Sequence, residues 1–231
     1  MIVSHRHKFI FIKTRKTAGT SIEAFLAPHC GPDDILTPIS PPVEGHCARN
    51  DESRWPVWSE MAYFARQGRI KEARLSLGHW QNRRKFFRHM TAEHARARLP
   101  RDVWSRYFKF CVERNPFDKS LSHFHMLKAQ GMVEDLDGYL QGDQLCRNSH
   151  IYTDGRGRLL VDRVLRFENL DAEFGEVMER LGLPYGGQIT VRAKSNYRAD
   201  RTGYREVLTP AQRARIEQIY ADEMAQFSYE F

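Results

Sequence analysis

Residues 13–21 bring together the side chains that proteins use to bind an anion. Three cations are followed by hydroxyl side chains and one glycine: Lys13, Arg15, Lys16, Thr17, Gly19, Thr20 and Ser21. The backbone N–H groups of a loop and of a helix N-terminus direct partial positive charge at one point, to which the basic side chains add full charge. Gly19 would let the backbone approach a ligand closely. These residues predict a phosphate or sulfate site.

The flanking elements would place this loop between a buried strand and a helix. Residues 9–12 form a short apolar run, and a helical face follows at Ile22, Phe25 and Leu26. The order is that of a nucleotide-binding loop, but the nucleoside-triphosphate motif G-x-x-x-x-G-K-[ST] is absent. Lys16 precedes the only glycine of this loop, whereas that motif needs its lysine after the last glycine.

A second strand-to-helix junction occurs at residues 107–124. Residues 107–112 are strand-like, and Asn115 followed by proline is typical of a helix start. Arg114 stands at the corner, and Ser122 lies two turns into the helix. A guanidinium and a hydroxyl can bind a second phosphate there. The alternative is a simple helix cap with an arginine paired to a carboxylate.

The two junctions together resemble the nucleotide-binding segments of sulfotransferases. The first resembles the phosphosulfate loop Pro-Lys-Thr-Gly-Gly-Thr-Ser, with Arg15 in place of proline and Ala18 in place of the first glycine. The second resembles the 3′-phosphate motif Arg-Asn-Pro-x-Asp-Arg-x-x-Ser, with Lys119 as the inner basic residue. Weaker similarity at 166–170 and in a closing helix at 204–227 extends the resemblance over most of residues 8–231. The pair Gly78-His79 points to the carbohydrate-type, family 2-like enzymes.

This resemblance implies transfer of a sulfuryl group from 3′-phosphoadenosine 5′-phosphosulfate (PAPS) to a hydroxyl or amine, with a saccharide acceptor favoured and no metal required. The 5′-phosphosulfate would be bound by Arg15, Lys16, Thr17, Gly19, Thr20 and Ser21, and the 3′-phosphate by Arg114 and Ser122. Lys16 would also stabilise charge on the bridging oxygen. The segment 194–198 lies where relatives close a loop over the nucleotide.

A histidine is expected to be the base that takes the proton of the acceptor hydroxyl. The resemblance favours His79, which the sequence places after a strand at residues 75–77, and its reference pKa of about 6.5 suits a base at neutral pH. His123 and His125, close to Ser122, are the weaker candidates. His89 and His94 are considered only as metal ligands, and they lack convincing cysteine or carboxylate partners.

The whole chain, residues 1–231, is predicted to be one P-loop-like α/β domain with a central, mainly parallel sheet flanked by helices. Residues 28–73 would form an acceptor-side loop and helical insert, because residues 28–56 are rich in proline, glycine and aspartate. Short helices are expected at 58–65 and 91–99, and longer ones at 170–181 and after the capping box that begins at Thr209.

Composition leaves other functional classes open. The net charge of +7, from 36 basic and 29 acidic residues, suits a polyanionic ligand. A P-loop-like nucleotide or small-molecule kinase would need a Walker lysine and a magnesium-binding carboxylate, and the sequence has no convincing candidate for either. A non-enzymatic anion- or nucleic-acid-binding protein would explain the charge but not both motifs. Nucleic acid is not the expected partner, because basic residues are interleaved with acidic ones.

The remaining signals concern the cellular compartment. No apolar run approaches the ~20 residues of a membrane span, and the first residues lack the apolar core of a signal peptide. A cytoplasmic enzyme is therefore expected. Among the four cysteines, Cys111 falls in a predicted buried strand and is expected to be a core thiol. Pairing of Cys30 with Cys47 stays open at this point.

Overall fold

The computed structural model describes residues 1–40, 42–189 and 202–231, and its centre is a five-stranded sheet within those ranges. The strands follow the order β3-β1-β2-β4-β5, where β1 is Ile2–Ser4, β2 is Phe9–Phe11, β3 is Ile35–Leu36, β4 is Phe108–Glu113 and β5 is Arg163–Arg166. Strand β1 is antiparallel to both neighbours, whereas β2, β4 and β5 pair in parallel. All of these strands except β1 therefore run in one direction, which confirms the α/β class with a mainly parallel sheet.

Helices cover the sheet and extend beyond its edges. In chain order they are α1 (Gly19–Leu26), α2 (Val57–Arg66), α3 (Ile70–Gln81), α4 (Ala92–Arg98), α5 (Arg101–Arg106), α6 (Pro116–Ala129), α7 (Leu136–Gln141), α8 (Ser149–Tyr152), α9 (Leu170–Leu181), α10 (Tyr204–Val207), α11 (Pro210–Ile219) and α12 (Ala221–Phe227). Short 3-10 turns occupy Ala27–His29 and Phe167–Asn169. Within the described ranges, none of these helices is both long and apolar enough to cross a bilayer.

Both faces of the sheet are buried, as expected for parallel strands between helices. Alternate residues of β2 and β4 point to opposite sides. Ile10 and Cys111 pack with α4 on one face, while Phe11 and Phe110 pack with α1 and α9 on the other. Cys111 is fully buried, which confirms the expected core thiol. Cys30 and Cys47 are free thiols.

Local sequence signals located several helix ends correctly. Asn115 caps α6 by accepting a hydrogen bond from the N–H of Phe117, with proline at the first helical position. The capping box at Thr209 is present at the start of α11. Thr91 caps α4. The helix expected at 170–181 is α9. These signals depend on neighbours in sequence, which is why they could be recognised without tertiary information.

The strand predicted at residues 75–77 is wrong, because this stretch lies within helix α3. Helical spacing places Ala73 and Ser76 on the buried side, and Leu75 is 53% exposed. The Ser76 hydroxyl donates a hydrogen bond of 2.9 Å to Glu60 of α2, so that the helix is fixed by a polar contact that strand periodicity does not predict. Residues 28–73 contain β3, α2 and the start of α3.

A buried carboxylate at the end of β4 joins several elements that are distant in sequence. One oxygen of Glu113 accepts hydrogen bonds from the Lys119 ammonium (2.8 Å) and the Asn148 amide (3.3 Å), and the other accepts from Tyr152 (2.9 Å). Glu223 of α12 lies 3.4 Å from the same ammonium. Burial alone would lower the pKa of Lys119, but the two carboxylates raise it, so the ammonium stays charged.

Replacing Lys119 with methionine should destabilise the fold strongly. The change leaves Glu113 and Glu223 buried without their cation, and removal of one partner of a buried ion pair costs about 3–5 kcal/mol. The matched control is Arg213→Met, which breaks an exposed ion pair with Glu217 and should cost less than about 1 kcal/mol. Urea unfolding of both variants checks this, and equal losses would contradict the structural role of Lys119.

Candidate functional site

The carboxyl ends of β2, β4 and β5 bring the predicted motifs to one edge of the sheet. The anion loop follows β2, and Arg114 follows β4. The Arg114 guanidinium donates a hydrogen bond of 3.1 Å to the backbone carbonyl of Lys16. Its central carbon also lies 4.1 Å from the ring centre of Phe167, just after β5. Residues from three distant parts of the sequence are therefore in contact, and the two predicted anion motifs adjoin each other.

The backbone of the loop turns sharply before α1. Lys16 and Ala18 both adopt left-handed conformations, with φ of 61° and 58°. Ala18 occupies the N-cap position and has no side-chain acceptor, so the first N–H groups of α1 receive no side-chain cap. Left-handed residues next to a helix N-terminus turn backbone N–H groups toward a common point that suits an anion. This geometry fits a phosphate or sulfate group.

The hydroxyl side chains of the loop divide into internal and cavity-facing groups. Thr17 is buried, and its hydroxyl lies 2.7 Å from that of Thr14, which donates in turn to the Val112 carbonyl of β4. Thr17 therefore ties the loop to the sheet. Thr20 and Ser21 are buried in the first turn of α1, where Ser21 lines a cavity.

Lys13 and Gly19 have structural roles that the sequence analysis did not predict. Lys13 is buried and forms an ion pair with Glu23 of α1, while burial lowers its pKa. Its side chain passes so close to Gly19 that a Cβ added at position 19 would lie 2.8 Å from the Lys13 Cγ. The glycine therefore makes room for this lysine, whether or not it also faces a ligand.

Arg114 is paired with a carboxylate, as the simpler interpretation of its motif required. Its Nε and Nη2 donate to one oxygen of Asp118 over 2.9 and 2.6 Å. Ser122 follows Asp118 by four residues on α6, so both lie on one face of the helix. An anion bound between Arg114 and Ser122 would have to share the guanidinium with Asp118.

Asn148 fixes the backbone of the anion loop at Arg15, and no sequence pattern predicts this role. Its side-chain oxygen accepts from the Arg15 N–H and its amide donates to the Arg15 carbonyl, each over 3.0 Å. The Asn148 backbone N–H donates to Glu223, and its side chain also contacts Glu113. The buried network of the core therefore fixes the backbone at Arg15, whose side chain is exposed.

His79 lies in α3, in a cluster of its own. Its Nδ1 faces an Nη2 donor of Arg98 at 3.4 Å, and its ring packs on Phe87. Burial and then the charges of Arg98 and Arg84 lower its pKa to about 4. None of the contacts recorded for the described residues joins His79 to the anion loop.

Three other histidines lie near the loop, and one of them touches it. Nδ1 of His89 is 3.2 Å from the Lys13 carbonyl. Burial, followed by the charge of Lys13, lowers the pKa of His89 to about 3. His123 is buried against Tyr139, and burial together with the charges of Lys16 and Arg15 lowers its pKa to about 4. Burial and the charge of Arg15 also lower the pKa of His150. His125 is partly buried on α6.

A cavity of about 350 Å³ adjoins the start of α1. Its walls come from the loop, from the segment after β5 and from the chain beyond α9: Ala18, Ser21, Phe167, Glu168, Asn169, Leu170, Asp171, Ala172 and Ile189. It is therefore close to Arg114, which stacks on Phe167. The segment 194–198 lies outside the described residues. Among those residues, no cluster of side chains that could hold a metal ion is found.

Comparisons with known proteins leave the family open. No family model matches the chain. An uncharacterized protein of Archaeoglobus fulgidus is 29% identical over 117 residues, which make up 47% of this chain and 98% of that protein. The crystal structure of mouse sulfotransferase SULT7A1 complexed with PAP is similar with a TM-score of 0.48 and 15% identity, over 96% of this chain and 86% of that one. A likeness of this degree carries no argument by itself.

The left-handed conformation of Ala18 predicts that a glycine there stabilises the protein. A non-glycine residue in this conformation destabilises the folded state by about 1–2 kcal/mol. Glycine removes that strain, but it also increases the conformational entropy of the unfolded chain, which offsets part of the gain. Ala18→Gly should raise the free energy of unfolding by roughly 0.5–1 kcal/mol. Ala214→Gly, at an exposed position within α11, should lower it by about 1 kcal/mol. Urea unfolding distinguishes them; a loss at both positions would contradict this loop geometry.

Proposed function

We propose that this protein is a sulfotransferase that moves the sulfuryl group of PAPS to a hydroxyl or amine of an acceptor, for which a saccharide is favoured. The proposal rests chiefly on the contact between Arg114 and the Lys16 carbonyl, which joins two anion motifs 98 residues apart. In the reaction the bond from sulfur to the bridging phosphate oxygen breaks, and a bond from sulfur to the acceptor forms. The acceptor proton passes to a base, and adenosine 3′,5′-bisphosphate (PAP) leaves.

The anion loop would bind the 5′ end of the donor. Uncapped N–H groups at the start of α1 and the Lys16 ammonium supply positive charge where negative charge builds on the bridging oxygen. Arg15, Thr17, Gly19, Thr20 and Ser21 would complete this subsite through the backbone and the hydroxyl groups. Catalysis of such a transfer depends on positioning and electrostatics, as for phosphoryl transfer.

Arg114 and Ser122 would bind the 3′-phosphate. The guanidinium has five N–H donors, of which three take part in the bonds to Asp118 and Lys16, so further donors can serve a phosphate. The nucleoside would then occupy the cavity of about 350 Å³ beside Phe167. Residues 1–231 would act as one domain in this reaction, with residues 28–73 on the acceptor side.

The hydrogen-bond partners of the histidines favour His89 as the base. A carbonyl oxygen only accepts, so His89 bonds to Lys13 through a protonated Nδ1, which leaves the lone pair on Nε2. A base needs an available lone pair, which Nε2 of His89 supplies in this tautomer. His79 is arranged in the opposite way, because its Nδ1 lone pair faces the donor of Arg98 and its Nε2 then carries the proton. Burial lowers the pKa of both histidines, to about 3 for His89 and about 4 for His79, so the pKa does not distinguish them and the position of the lone pair does. The base role is therefore assigned to His89 in place of His79 in this proposal.

Nucleotide binding tests the donor site. Calorimetric titration of the full chain should show magnesium-independent binding of PAP that is tighter than binding of AMP, because only PAP carries the 3′-phosphate. Arg114→Lys keeps a positive charge but loses the fork of donors. It should weaken PAP binding about 10-fold or more, consistent with ~1.5–3 kcal/mol for a hydrogen bond to a charged group, and leave AMP nearly unchanged.

Two results of this titration would contradict the proposal. A preference for ATP with magnesium would favour a kinase, and no binding of any nucleotide would leave the two motifs with a structural role. Arg213→Lys, which lies in α11 away from the loop, is the matched control and should bind PAP like the original chain.

Two histidine variants test the base. With PAPS and a panel of saccharides, His89→Ala should lower the rate of PAP release by about 10²–10⁴-fold, because general-base catalysis contributes that much. PAP affinity should stay near normal, since the proposal gives the His89 side chain no contact with the nucleotide. His79→Ala should keep its rate within a few-fold. The reverse order of the two rates would restore His79 as the base.

A further inference from the structure

A second cavity, of about 260 Å³, lies beside the segment that leads to His89. Its apolar part comes from Pro38, Ile39, Phe86 and Phe87, and its polar part from Ser40, Asp51, Glu52, Arg84 and Arg88. The charge of Arg88 acts on Lys13, and the next residue, His89, contacts the Lys13 carbonyl. One segment therefore forms a wall of this cavity and reaches the anion loop.

The walls of the second cavity are held by buried contacts. Residues 51–53 pair with residues 83–86 through backbone hydrogen bonds, from Ser53 to Arg83 and from Phe86 to Asp51, both of 2.9 Å. The buried Arg98 side chain donates to the carbonyls of residues 84 and 85 (3.2 and 2.8 Å) and is anchored by an ion pair to Glu60. The walls of this cavity are therefore fixed by the fold.

Asp51 is an unusual group to line such a cavity. It is only 9% exposed, and within the described part of the chain no donor from another residue is recorded at its carboxylate. Burial raises its pKa, a hydrogen bond from its own backbone N–H acts against this, and the neighbouring charge of Glu52 adds a smaller increase. A largely buried carboxylate that has no cation and no donor from another residue is costly, so a ligand that supplies a cation would be favoured here.

The two arginines of the cavity leave that carboxylate uncompensated. Arg84 and Arg88 are exposed, and the structure records no ion pair between either of them and Asp51 or Glu52 in the described ranges. The Arg84 guanidinium instead lies 5.7 Å from the ring centre of Phe87. Water screens the exposed arginines more than it screens the largely buried carboxylate, and therefore the stronger attraction is for a cation.

We propose that this second cavity is the acceptor subsite and that it binds a protonated amine of the acceptor through Asp51. An amino sugar fits this chemistry, because its ammonium would pair with the carboxylate while the apolar face of its ring lies on the phenylalanine wall. This inference rests on the proposed sulfotransferase function and specifies the acceptor of the same site.

Ligand-observed NMR titration of the full chain tests the acceptor subsite without turnover. The probes are glucosamine, N-acetylglucosamine and glucuronic acid, which are cationic, neutral and anionic at neutral pH. Glucosamine should bind at least tenfold more tightly than the other two. Asp51→Asn keeps the size of the side chain and should abolish that preference, whereas Asp143→Asn, at an exposed position, should preserve it.

Unchanged glucosamine affinity in Asp51→Asn would overturn the inference. So would a preference for glucuronic acid that is lost in Arg84→Gln, since the cavity would then select an anion. PAP titration of the same samples separates the two proposals. Normal PAP binding without glucosamine binding removes the acceptor inference alone. Glucosamine binding that depends on Asp51, without PAP binding, supports the amine subsite and contradicts the sulfotransferase.

Discussion

The buried charge of Glu113 is the constraint on which the site depends. It stands at the end of β4, one residue before Arg114, and accepts the backbone N–H of that residue as well as side-chain donors from α6, α8 and the segment at Asn148. A carboxylate that is buried away from water is stable only when all of these donors are in place. The core and the edge of the sheet must therefore form as one unit, and the backbone at Arg15 is held in place as a result.

Helix periodicity divides the residues that follow Arg114 into a partly exposed set and a core-facing set. Asp118 and Ser122 are one turn apart and partly exposed, beside Arg114. Lys119 and His123 are also one turn apart, but they are buried on the other side. The inner basic residue of the motif is thus a core cation of this protein, paired with Glu113 and Glu223.

The sequence predicted what depends on short-range patterns and missed what depends on tertiary contacts. Strands β2 and β4, the strand-to-helix junctions that follow them and the α6 cap could be recognised because their apolar runs and cap residues are contiguous. Strands β1, β3 and β5 have two to four residues, too few to show a period; β2 is equally short but lies in the apolar run at residues 9–12. Asn148 and His89 contact backbone atoms that lie far away in the sequence, Asn148 through two hydrogen bonds to Arg15 and His89 through one contact with Lys13. No local pattern predicts such contacts.

The two cavities lie near opposite ends of the anion loop. The larger one is lined by Ala18 and Ser21, where the loop enters α1, and the smaller one adjoins the segment that contacts Lys13, where the loop leaves β2. An in-line transfer needs the leaving oxygen and the attacking oxygen on opposite sides of sulfur. A donor in the first cavity and an acceptor in the second would reach the loop from its two ends, which is compatible with this condition. His89 would then lie on the acceptor side, where a base is required.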